Sequence, residues 1–177
     1  MNEQNVLCWS PCLLTWSDFK AEPNPIEFED AYSFIKYSYT WTLISENFGN
    51  EIKFAIQNIA LHSEFHKHLS WVRMHLATNQ LLHHQQGHFD LAELIRLEIT
   101  PKLKNILEHK WYPTRGQNDE QRKQFAREDS EMLLAKEMEK WDEYLLEKQQ
   151  IYDMETNYGQ TREKQSDYDA RFAQLRN

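Results

Sequence analysis

The sequence predicts an α+β fold, and three stretches predict it. Residues 31–61 alternate apolar and polar side chains on either side of a turn, the pattern of an antiparallel hairpin. Residues 71–99 carry an apolar stripe at helical spacing that includes His84 and His88. Residues 120–150 are rich in Glu, Lys, Gln, Leu and Met, the composition of a long helix. A small antiparallel sheet is therefore expected to lie against the histidine-bearing helix, with the long C-terminal helix on that helix's other side. At 177 residues the chain suits one domain, 1–177, able to bury a core without disulfides.

Residues 6–9 are short and apolar and read as a first strand. Cys8 and Cys12 stand four apart with no second pair, a weak zinc signal, so they read as a small apolar filler and an incidental thiol. Pro23 and Pro25 mark an extended connection. Next, Ile35, Tyr37, Tyr39, Trp41 and Leu43 fall on one face of a strand, with Lys36, Ser38, Thr40 and Thr42 on the other. After the turn at residues 46–50, strand character resumes over 52–61. There the apolar positions change phase, from Ile52, Phe54 and Ile56 to Ile59 and Leu61, which predicts a bulge or bend near Asn58.

His62, His66 and His68 lack ligand spacing on a recognisable element and read as exposed loop histidines. Thr100-Pro101 has the form of an N-cap followed by proline at the first helical position, predicting a new short helix to about residue 109. Residues 111–119 read as a loop. The long helix has an apolar seam of Leu134, Met138, Trp141 and Leu145. It is predicted to end at Asn157-Tyr158-Gly159. Residues 162–175 are helical again, with Tyr168, Phe172 and Leu175 on the buried edge.

Composition narrows the function. A net charge of −8 excludes a nucleic-acid partner, because phosphate binding needs basic patches, and 13% aromatic residues exclude a disordered chain. No apolar run approaches the roughly 20 residues that span a bilayer. The first five residues show neither a basic nor an apolar leader segment, so a cytoplasmic protein is expected; a secreted protein expressed without its leader would read the same.

The chemistry centres on His84 and His88. Residues four apart share a helix face, so both imidazoles can reach one metal ion. This is the histidine geometry of the zinc-peptidase motif H-E-x-x-H, with Gln85 in the glutamate slot. The same stripe, Ala77, Leu81, His84, His88, Leu91 and Ile95, is also that of a buried face, on which histidines can bond backbone carbonyls instead. Glu93 lies five past His88, about 140° around the helix, and is expected to support or pack rather than ligate. Tyr158, from the loop after the long helix, is the expected third ligand, with Glu128, Glu131 or Glu137 behind it.

Several stretches together resemble a family of predicted bacterial and archaeal zinc-dependent proteases, catalogued as a domain of unknown function. They are Leu14-Thr15-Trp16-Ser17-Asp18-Phe19, Ser70-Trp71-Val72, Leu81-Leu82, His84-Gln85-Gln86-Gly87-His88-Phe89-Asp90-Leu91-Ala92-Glu93, and Tyr152-Asp153 with Thr156 and Gly159. They occur in the family's order over nearly the whole chain. The helix piece, which the family writes H-E-Q-G-H-F-D, is the specific one.

The resemblance implies a zincin-like fold, zinc as cofactor, and His84 and His88 as ligands. Two positions depart from the family: Gln85 replaces its glutamate, and Tyr158 stands where a histidine is expected. An amide cannot take a proton near neutral pH, so Gln85 occupies the general-base position without its function. The expectation is a metallopeptidase (hydrolase) homologue with an impaired site. The alternative is a non-catalytic scaffold that binds a peptide or protein, with or without metal.

Overall fold

The structure is a computed structural model that describes residues 5–11 and 13–177. Its elements in order are β1 (Val6–Cys8), β2 (Ala31–Tyr32), β3 (Ile35–Phe48), β4 (Glu51–His66), β5 (Trp71–Val72), α1 (Asn79–Leu107), β6 (Tyr112–Pro113), α2 (Asp119–Thr156) and α3 (Arg162–Phe172). The main sheet has the order β1-β4-β3, with β6 also on β4, and β2 pairs with β5 in a separate ribbon. The β1–β4, β4–β6 and β2–β5 pairings are antiparallel. The expected α+β class and small antiparallel sheet are therefore present.

The hairpin follows the alternation in the sequence. Along β3 the odd positions 35–43 are the more covered and the even ones face solvent. In β4 the buried set changes from Phe54 and Ile56 to Ile59, Leu61, Ser63 and Phe65, and Asn58 at the change has a φ of 54°. Asparagine tolerates that left-handed conformation, so one residue reverses which side chains face inward.

Three expectations are corrected. Residues 71–72 form a strand, and the histidine helix begins only at Asn79. No new helix starts at Thr100-Pro101: α1 runs through Pro101 to Leu107. The carbonyl left without a donor belongs to Leu97, and both residues are exposed, so water can satisfy it. Residues 62–66 continue β4, so His62 and His66 are strand residues. Cys8 is free and exposed, in keeping with the incidental thiol expected of the pair, while Cys12 lies outside the described residues. The sequence also hid β6, two residues that pair Lys53 with Pro113 and Phe54 with Tyr112.

The chain folds as two compact units, each assembled from separated segments. One comprises residues up to Ser38, His62–Arg96 and Leu145–Asn177; the other comprises Tyr39–Leu61 and Leu97–Tyr144. In the first, Phe65 is fully buried with Phe19 and Phe89 ring-to-ring at 5.1 and 5.9 Å. Tyr37 donates its hydroxyl to the Ala92 carbonyl at 2.8 Å, joining β3 to α1. The second unit buries Phe54, Ile59, Leu103, Leu134 and Met138, and Trp41 donates to Ser130 at 2.9 Å. Among the described residues no helix is long and apolar enough to cross a membrane.

Candidate metal centre

The second and third turns of α1 form the centre of the first unit, and each residue of the run 84–90 has a task there. His84 is fully buried and His88 nearly so. Gln86 accepts the Leu14 backbone N–H at 2.8 Å and donates to Asp90 at 2.9 Å. Asp90 also accepts Trp9 Nε1 at 2.9 Å and pairs with Arg176 at 2.7 Å, which ties both chain ends to this helix. Phe89 enters the aromatic core. Gly87 lies beneath Tyr152: a Cβ there would overlap the Tyr152 hydroxyl and come within 2.8 Å of its ring and 3.2 Å of Phe172.

The C-terminal end of α2 faces this helix. After Thr156 the chain turns through Asn157, Tyr158 and Gly159 with φ of 46°, 53° and 82°. The Tyr158 N–H bonds the Asp153 carbonyl at 2.9 Å, and Gly159 N–H bonds Thr156 Oγ1 at 3.2 Å. Gly159 is required twice, by its positive φ and because a Cβ would stand 2.7 Å from His84 Cβ. Gln80 fastens the turn by donating to the Gly159 carbonyl at 2.7 Å.

Asp153, on the last turns of α2 and part of the Tyr152-Asp153 piece but not among the expected ligands, faces the two histidines. Its Oδ1 stands 2.9 Å from His84 Nε2 and 2.9 Å from His88 Nε2. The ligand atoms of His84, His88 and Asp153 all lie within 4.8 Å of one another, close enough to hold one metal ion. Burial pushes the Asp153 carboxyl up, but the two facing imidazoles outweigh it and hold the group well below the usual carboxylate range, so it is an anion.

The far side of His84 assigns its tautomer. Gln165 donates its side-chain amide N–H groups to Asp169 Oδ1 at 3.1 Å and to the Tyr152 hydroxyl at 2.8 Å, which leaves its Oε1 facing His84 Nδ1 at 3.2 Å. An amide oxygen only accepts, so Nδ1 carries the hydrogen. Burial chiefly lowers the His84 pKa, against the pull of Asp153, so the ring is neutral near pH 7. Its Nε2 then presents a lone pair to a carboxylate oxygen at 2.9 Å. Two acceptors in this arrangement suit a bound cation, whereas a protonated ring would donate to Asp153 across the same distance. Tyr152 stacks on His84 at 4.6 Å and 12°, donates to the His84 carbonyl at 3.1 Å, and holds the imidazole plane in place.

The expected residues divide clearly. His84 and His88 converge as the spacing required. Tyr158 is 48% exposed and lines the adjoining cavity of about 200 Å³ with His88, Asp153, Gln85 and Glu29. Its hydroxyl is pushed above the ordinary phenol range by burial and by Asp153 and Glu29, which opposes the phenolate a ligand would need. Glu128, Glu131 and Glu137 belong to the other unit. Glu93 is a supporting residue as expected, accepting Ser63 Oγ at 3.0 Å and pairing with Arg96. Gln85 is 4% exposed; its oxygen accepts Ser33 Oγ at 2.7 Å and its nitrogen points at the Ala31 carbonyl at 3.4 Å.

Comparison with known proteins returns no matching family model, no matching curated protein and no matching solved structure. The class that fold and site define is therefore an α+β protein with a buried His/His/Asp cluster suited to one metal ion.

Gly87→Ala should destabilise the protein by about 1–3 kcal/mol or more, since Tyr152 is fully buried and cannot withdraw. The change is read from the urea midpoint. A shift equivalent to less than about 0.5 kcal/mol, the range of an indifferent surface change, would show that Tyr152 is not held against the helix.

Proposed function

We propose that this protein is a zincin-like metallopeptidase homologue that binds zinc through His84, His88 and Asp153 and is impaired in peptide hydrolysis. The observation that carries the proposal is the convergence of two imidazole nitrogens on one half-buried carboxylate oxygen, with the outer nitrogen of His84 committed to Gln165. Two nitrogens and one oxygen match the donor set of two histidines and one carboxylate found in catalytic zinc sites, which leave a fourth position open. Histidine ligands fixed by a hydrogen bond on their other nitrogen are the rule in such sites. The H-x-x-x-H spacing and the pieces that resemble the zinc-protease family support the same reading.

A zinc ion held there would supply a Lewis acid toward a peptide carbonyl. Around it, Tyr152, Thr156 and Gln165 would keep His84 oriented, and Gly87 and Gly159 would let the helix and turn approach. Gln85 is the position at which hydrolysis fails. Its amide can hold a water or a carbonyl by hydrogen bonds but cannot accept a proton at neutral pH, and loss of a general base costs on the order of 10²–10⁴ in rate.

The second reading, a non-catalytic peptide-binding scaffold, is favoured by one observation. The Gln85 amide is integrated into its surroundings, accepting from Ser33 and directing its nitrogen to the Ala31 carbonyl, where a carboxylate would meet a second acceptor.

Metal analysis of purified protein should find one zinc per chain. His84→Ala, His88→Ala and Asp153→Asn should each lose it, while His83→Ala should keep it, because His83 points to Asp169 instead. Affinity should fall as pH drops: protons compete for the ligands, and for His84 this begins below the ordinary imidazole range because its pKa is lowered. Equal loss from all four variants, or no zinc in the wild type at saturating metal, would reject the site.

The unmodified chain should show no measurable zinc-dependent cleavage of casein. Gln85→Glu restores a base but sets a carboxylate against the Ala31 carbonyl, so only faint chelator-sensitive cleavage should appear. Adding Tyr158→His, the other departure from the family pattern, should raise it further. Strong chelator-sensitive cleavage by the wild type would contradict the impaired site.

A further inference from the structure

A second cavity of about 450 Å³ adjoins the one beside the metal ligands and shares Glu29, Ala31, Gln85 and Tyr158 with it. Its walls divide by chemistry. Leu76, Leu81, Ala31 and Phe28 give an apolar surface, and Phe28 is 102% exposed, a large ring held in water at the cavity mouth. Among the described residues the charged side chains that line it are acidic, namely Glu29 and Asp30, and no Lys or Arg lines either cavity.

The segment that carries Phe28 and Glu29 is held in place. Arg73 donates to the carbonyls of Asn24, Glu27 and Glu29 at 2.9, 2.8 and 3.2 Å, and its own N–H bonds the Asp30 carbonyl at 2.8 Å. The Arg73 guanidinium is thus spent on backbone and not on the Glu29 carboxylate. Burial, and then the negative charges of Asp153 and Glu27, push the Glu29 carboxyl up, against a smaller opposing pull from His88, while no Lys or Arg among the described residues shares its cavity wall.

We infer that this cavity is the specificity pocket of the peptide site and takes a Lys or Arg side chain of an extended peptide. The aliphatic stem would lie along Leu76, Leu81 and Phe28, and the cationic head would reach Glu29. Long basic side chains satisfy both halves of such a pocket with one group, because their stems bury against apolar surface while the charge stays at a polar end. Half-buried charges are screened less than exposed ones, so the pairing discriminates by sign. The assignment rests on the peptide-site reading above and names the class of peptide that site takes.

The test uses two fluorescein-labelled peptides, internal and blocked at both ends, identical except for one central Lys in the first and Glu in the second. Fluorescence anisotropy is measured on the zinc-supplemented full chain. The Lys peptide should bind at least tenfold more tightly than the Glu peptide. Glu29→Gln should remove most of that difference while leaving bound zinc unchanged. Phe28→Ala, at a fully exposed position that cannot compromise folding, should weaken the Lys peptide severalfold. Equal binding of the two peptides, no binding of either, or a difference that survives Glu29→Gln would overturn the assignment. A wild-type chain that binds no zinc but keeps the Lys preference and loses it in Glu29→Gln would uphold the pocket and reject the metal site alone.

Discussion

The structure of the first unit turns on one carboxylate facing two imidazoles. Asp153 and the histidine pair are 69 and 65 residues apart in sequence, and their 2.9 Å approaches fix how α1 and the end of α2 meet. Other close approaches in the unit are adapted to that meeting. Gly87 makes room for Tyr152 and Gly159 makes room for His84, and Gln165 on α3 completes the layer by accepting from the imidazole. A half-buried carboxylate beside the buried His84 ring is costly unless a proton or a metal ion joins them. With the neutral ring's proton placed on Nδ1 by Gln165, the three side chains lie close enough to hold one metal ion.

On the proposed reading, the same layer would keep recognition while losing catalysis. The three groups close enough to hold a metal are supported by neighbouring side chains, whereas the group in the general-base position is an amide engaged with Ser33 and directed at Ala31. Binding functions survive such a change, because orientation and electrostatics do not require a titrating side chain. Proton transfer does not survive it.

Much of this was legible in the sequence. The two-residue alternation of β3 identified the covered face, and the phase change at Asn58 located a reversal that the positive φ confirms. The four-residue spacing of His84 and His88 placed both rings on one face of α1. Asp153 was harder to see because it carries no local pattern: it follows a buried tyrosine near a helix end, and only tertiary packing brings that end of α2 to the histidines of α1. The best signal was its place in the Tyr152-Asp153…Thr156…Gly159 piece. Pro101 misled because a proline on the solvent side of a helix resembles a helix start in sequence, and only its exposure distinguishes the two. The pair at β6 is too short to have any periodicity.

The central claim is that His84, His88 and Asp153 share one zinc ion. Anomalous diffraction at the zinc edge from crystals of the zinc-loaded protein tests it most directly. The account predicts a single strong peak at about 2.0–2.1 Å from His84 Nε2 and His88 Nε2 and about 2.0–2.2 Å from an Asp153 oxygen. A peak on other histidines, or no peak between these three side chains at saturating zinc, would contradict it.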